Sequence, residues 1–155
     1  GRAIVGLEPS CLFTLRDELL AVLPGPDSEL IARHAVLFEE FLAAEASAGR
    51  LALKLGAAAK PRALLHGHCH QKAFDVMPAT REVLSLVPGL TVEVIESSCC
   101  GMAGTFGFDA SHYDVSMRMA ELSLLPAVRA AADDTLIVAD GFSSDAGLPS
   151  LSSRW

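Results

Sequence analysis

Positive charge is scarce in this sequence and nowhere gathered. Twelve Lys and Arg stand against 19 Asp and Glu, a formal net charge of −7. The basic residues are scattered, which argues against nucleic acid, because phosphate binding needs clustered Lys and Arg. Charge of either sign is low, at 20%, against 51% hydrophobic residues and a mean hydropathy of +0.38. Yet no uninterrupted apolar run has the length that a membrane span needs. This combination predicts a globular chain with extra apolar surface meant for neighbouring domains or subunits. Nothing resembles a signal peptide, so a cytoplasmic location is expected. The first residue is Gly1, not Met, and the chain opens straight into a strand-like run, Ala3–Leu7. That is the opening expected of a fragment whose natural N-terminal portion is absent. At 155 residues the chain is long enough for one domain with a core of its own.

Familiar site signatures are also missing. Gly101-Met102-Ala103-Gly104-Thr105-Phe106-Gly107 is glycine-rich, but it lacks the Lys-Ser/Thr of a phosphate loop and the Gly-x-Gly-x-x-Gly of a dinucleotide site. Glu96 and Asp140 stand at strand ends with no partnered arrangement for acid–base work, and they read as residues that orient loops.

What is present is an alternation of strands and helices. Ala3–Leu7, Ala63–His66, Thr91–Glu96 and Thr135–Asp140 are short β-branched or Leu-rich runs and read as buried strands. Leu12, Leu15, Leu19 and Val22 fall at helical spacing, stopped by Pro24-Gly25-Pro26. A second helix is predicted from about Asp27 to Ala48, with Ile31, Ala35, Phe38 and Leu42 on one face and Gly49 after it. A third spans about Gln71 to Leu86, with Pro78 as a kink or restart, and a fourth begins near Asp109 and is broken by Pro126. Gly56–Pro61 reads as a linker. The pattern predicts an α/β fold with a parallel sheet of about four strands and helical crossovers. Ligands in such sheets sit beyond the carboxyl ends of the strands. Cys11 follows the first strand, Cys69 the second, and Cys99 with Cys100 the third.

Four cysteines without a secretory signal point to metal or redox chemistry more than to disulfides. His66-Gly67-His68-Cys69-His70-Gln71-Lys72 and Glu96-Ser97-Ser98-Cys99-Cys100-Gly101-Met102-Ala103-Gly104 carry the signal. Adjacent thiolates can reach different metal atoms and are soft donors that favour iron–sulfur clusters and zinc. Gly101 and Gly104 would let backbone N–H groups approach a cofactor, and donors aimed at sulfur raise reduction potentials. The helix expected near Asp109 would add positive potential. If the strand continued, His66, His68 and His70 would share one side and could form a zinc site with Cys69; packing around a cluster or capping the next helix are their other roles. His34 and His112 read as ordinary helical residues. A short internal repeat aligns Ile4-Val5-Gly6-Leu7-Glu8-Pro9-Ser10-Cys11 with Ile137-Val138-Ala139-Asp140-Gly141-Phe142-Ser143-Ser144.

The His68–Lys72 and Ser98–Gly104 segments resemble the cysteine-rich CCG domain. That domain occurs in one of the subunits of heterodisulfide reductase, in the iron–sulfur subunit of glycolate oxidase, and at the C-terminus of fused FAD-linked oxidase/iron–sulfur oxidoreductases. The likeness is strongest to the last group and extends through Gly6–Cys11 and Ser116–Leu122. It implies one CCG-type domain over 1–141 and a diverged or disordered tail over 142–155. It implies Cys69, Cys99 and Cys100 as ligands of a 4Fe–4S-type cluster, and Cys11 as the closing ligand of a preceding copy of the motif. The family's last cysteine would stand where this chain has Ser144, so the cluster is expected to be incomplete or absent. The resemblance further implies electron relay from FAD on a separate domain, which oxidises a glycolate- or D-lactate-type 2-hydroxy acid, to a quinone or another carrier. Partners would be flavin-binding and ferredoxin-like domains or subunits, with peripheral membrane association through them. No catalytic residue is assigned to this chain. A zinc-binding docking module and a metal-free remnant are the rival readings.

Overall fold

The four apolar runs form strands, and a fifth strand lies inside the segment expected to be one long helix. A computed structural model describes residues 2–104 and 106–141. The strands are β1 (Ile4–Gly6), β2 (Ala35–Leu37), β3 (Arg62–His66), β4 (Thr91–Val94) and β5 (Thr135–Ala139). The helices are α1 (Pro9–Arg16), α2 (Glu18–Val22), α3 (Pro26–His34), α4 (Phe38–Ser47), α5 (Cys69–Ala73), α6 (Met77–Ser85), α7 (Tyr113–Ala120) and α8 (Leu124–Ala130). Every pairing is parallel, as helical crossovers require. The α/β class therefore stands, but the single sheet of about four strands is replaced by two smaller ones. One pairs β1 with β2, and the other has the order β4-β3-β5.

The described residues divide into two compact units, the first from 2–54 and 70–83 and the second from 55–69 and 84–141. In the first, Ile4–Gly6 pairs with Ala35–Leu37 in register. This pairing breaks the expected Asp27–Ala48 helix in two. Its spacing continues through Ala35, but α3 ends on Arg33 and His34, cations that suit a helix C-terminus. Glu40 Oε2 then accepts the Leu37 N–H at 2.9 Å and starts α4 afresh. The same carboxylate pairs with Arg16 Nη1 at 2.7 Å, and the Arg16 guanidinium lies 5.0 Å from the centroid of the Phe13 ring. Leu12, Phe13, Ala35, Leu37 and Val76 form the core of this unit.

In the second unit β3 is central, with Arg62–Leu65 facing Thr91–Val94 and Arg62–His66 facing Thr135–Ala139. Ala63 and Leu65 are fully buried. A second core gathers Ile95, Cys100, Met102 and Leu124, with Leu64 and Ile137 packed against it. The helix expected from Asp109 begins later. Asp109 accepts the Ser111 N–H at 2.9 Å and caps a 3-10 turn over Ala110–His112, so α7 starts only at Tyr113. Pro126 sits in the first turn of α8, where proline is tolerated, and the break falls before it at 121–123.

Candidate functional site

None of the four cysteines is in a disulfide, and all follow strand ends. Cys11 is the third residue of α1, directly after β1, and is exposed. Glu8 caps that helix by accepting from the Ser10 hydroxyl at 2.7 Å and the Ser10 N–H at 3.4 Å. Cys69 opens α5 after β3 and is exposed. Cys99 and Cys100 follow β4. Cys11 belongs to the first unit and the other three to the second, so no single sheet edge collects all four.

The Cys99–Cys100 turn is closely packed. Cys100 is 5% exposed and packs in the core with Ile95, Met102 and Leu124. Cys99 is half-buried, and its Sγ accepts the Gly101 N–H at 3.3 Å. Gly101 is left-handed, with φ +87°, a conformation costly for any residue with a Cβ. A Cβ there would also fall 2.9 Å from Ser116 Oγ and closer still to the Ser116 carbonyl oxygen. Met102 Sδ accepts from the Ser116 hydroxyl at 3.8 Å. On its other side lies Gly107, whose missing Cβ would sit 2.9 Å from Met102 Cα. Of the two glycines expected to admit a cofactor, Gly101 is seated on α7, whereas Gly104 (φ +56°) has open space where a Cβ would point.

The histidine segment is not a continued strand. β3 ends at His66 and α5 begins at Cys69, so His66, His68 and His70 do not alternate along one face. His66 is fully buried, with Nδ1 2.8 Å from Ser97 Oγ, and its carbonyl accepts the Asp140 N–H at 3.3 Å. It thereby ties the end of β3 to the segments that follow β4 and β5. His68 is buried, and a Cβ at Gly141 would lie 2.5 Å from its ring. His70 belongs to the first unit and stacks with Phe13, ring centroids 6.1 Å apart. His34 and His112 are spent locally, on the Leu30 carbonyl at 2.9 Å and on the Phe106 ring at 4.2 Å.

Among the described residues, no three His, Cys, Asp or Glu side chains are grouped to hold a metal ion. Ser144 lies outside the described residues. The donor set nevertheless fits an iron–sulfur cluster in its chemistry. Cys69, Cys99 and Cys100 are soft thiols of one unit, and a backbone N–H already meets one sulfur. An open groove of about 550 Å³ beside β4 and α8 is lined by none of the cysteines. Ser97, Ser116 and Gly107 were not legible as site residues. Ser116 stands in the stretch that carries the family likeness, but nothing in its spacing joins it to Gly101.

No family model matches the chain, and no solved structure matches it. Curated relatives do. Over 119 residues the chain is 33% identical to a subunit of the anaerobic glycerol-3-phosphate dehydrogenase of Escherichia coli (strain K12), covering 75% of this chain and 28% of that protein. Over 124 residues it is 29% identical to D-2-hydroxyglutarate dehydrogenase of the same strain, covering 79% of this chain and 12% of that protein. The chain thus spans about a quarter or less of the relatives it matches. Both relatives are named for dehydrogenases.

Proposed function

We propose that this chain is an iron–sulfur electron-transfer element of a flavin-linked 2-hydroxy-acid oxidoreductase. The observation that carries the proposal is the Cys99–Cys100 turn, in which Cys100 is fixed in a buried core and the adjacent Cys99 Sγ receives the Gly101 N–H. Cys69, Cys99 and Cys100 are assigned as cluster ligands, and Cys11, in the other unit, to a separate site. The cluster supplies one-electron transfer. The chain's own residues hold the sulfurs, shield Cys100 from water, and direct an N–H at a thiolate, which raises a cluster's potential.

Substrate oxidation and FAD are assigned to another domain, and a quinone or another carrier accepts the electrons. Exposed apolar surface supports such partners. Ile4 and Val5 on β1 are 40% and 41% exposed, whereas Ala35 and Leu37 on its partner strand are buried. Parallel strands are ordinarily covered on both faces. Among the described residues no helix is long and apolar enough to cross a membrane, so membrane association would come through partners. Anaerobic reconstitution with iron and sulfide tests the assignment. The chain, or its Ser144→Cys variant if a fourth thiol is required, should turn brown. Serine at Cys69, Cys99 or Cys100 should abolish the colour, and serine at Cys11 should leave it. Colour that survives Cys99→Ser and Cys100→Ser would overturn the ligand assignment.

A further inference from the structure

The turn that carries the two adjacent thiols is held by a residue with no metal-binding chemistry of its own. Ser116 lies in α7, is 4% exposed, and touches the turn in two ways. Its carbonyl and hydroxyl occupy the space where a Cβ on Gly101 would stand. Its hydroxyl also donates to Met102 Sδ at 3.8 Å, a weak acceptor. Met102 also lies close against Gly107, so both α7 and the 3-10 turn at Phe106–Phe108 abut the turn. Gly101 is left-handed there, with φ +87°, and its N–H donates to Cys99 Sγ at 3.3 Å.

We infer that Ser116 is a positioning residue for the Cys99–Cys100 pair. By seating Gly101 and Met102 it aims the Gly101 N–H at Cys99 Sγ and keeps Cys100 in the core. A small side chain is required at 116 because the Gly101 backbone lies directly against it. The hydroxyl adds a polar tether to Met102, which is otherwise held by packing alone. The inference deepens the proposed function, since it rests on these thiols being the ligands for its consequence, but its geometry is testable with no metal present.

The experiment uses the full metal-free chain under reducing conditions at one fixed pH, with Ser116→Ala, Ser116→Val and Leu125→Ala variants. Leu125 is buried but stands outside the cluster that holds Cys100, so it controls for general destabilisation. Iodoacetamide labelling of each cysteine is read by peptide mass spectrometry, together with hydrogen exchange at the Gly101 amide. Wild type should label Cys99 faster than Cys100. Ser116→Val should raise the Cys100 rate and the Gly101 exchange about tenfold through local opening, Ser116→Ala should give a smaller rise, and Leu125→Ala should leave the Cys99-to-Cys100 ratio unchanged. If Ser116→Val does not fold, the Ser116→Ala result decides. A folded Ser116→Ala variant with wild-type ratio and exchange overturns the inference, as does a Leu125→Ala variant that loses the ratio equally. Failure here would leave the cysteine assignment standing, because that is read by iron and sulfide content.

Discussion

His66 Nδ1 lies 2.8 Å from Ser97 Oγ, and the histidine is fully buried. The contact joins the end of β3, which leads to Cys69, to the segment that leads from β4 to Cys99 and Cys100, beside the Ile95 N–H that donates to the Leu65 carbonyl at 2.9 Å. Removing the hydroxyl deprives a buried ring nitrogen of this partner, at a cost of about 1–2 kcal/mol. Ser97→Ala should therefore lower the midpoint of urea unfolding with the slope unchanged. An unaltered midpoint would mean that the contact does not hold the two segments together.

The glycines of the cysteine turn should respond very unequally to alanine. Gly101→Ala meets both a left-handed backbone and the body of Ser116, and should cost about 2 kcal/mol or more. Gly104→Ala meets only the backbone conformation, with open space around it, and should cost about 1 kcal/mol. Thermal unfolding of the two variants side by side checks the order, and equal losses would contradict the seating of Gly101 on α7.

In the first unit, Phe13 is the piece whose loss should be felt most. It is buried, stacks on Phe74 with centroids 4.5 Å apart, and carries Arg16 on its ring. Phe13→Ala should destabilise by about 3–5 kcal/mol, measured by denaturant unfolding, whereas Phe13→Leu should lose less.

Acid sensitivity has a local source at Asp109. Its carboxyl is held below the usual carboxylate range, first by the Ser111 backbone N–H, then by the Ser111 hydroxyl, with the nearby His112 charge adding less. A depressed folded value means that the contribution is complete above the ordinary carboxylate pKa and is lost as the pH falls through the lowered one. Asp109→Asn should therefore flatten the fall in melting temperature below about pH 4 and leave the neutral range nearly unchanged. The same acid limb in both proteins would assign it elsewhere.

Four of the strands were legible because each is a short apolar run, and every cysteine follows a strand end as expected, but those ends belong to two sheets rather than one. β2 was not legible. Ala35-Val36-Leu37 continues the spacing of Ile31, Ala35, Phe38 and Leu42, and only pairing with β1 and the Glu40 carboxylate on the Leu37 N–H turn it into a strand. The three histidines looked equivalent because alternation assumed an unbroken strand, yet β3 stops at His66. The seat of the cysteine turn was hidden for another reason. It is made by Ser116, from a helix that the 3-10 turn capped by Asp109 delays and places, and sequence spacing does not report such a contact.

The central claim is that these thiols hold iron and sulfide, and elemental analysis tests it most directly. Iron, zinc and acid-labile sulfide should be measured together on the anaerobically reconstituted chain and on Ser144→Cys. The expected result is iron and sulfide in near-equal amounts, without zinc, in at least the variant, and their loss in Cys99→Ser and Cys100→Ser. Zinc without sulfide, or neither metal in both proteins, would contradict it and remove this chain from the electron path.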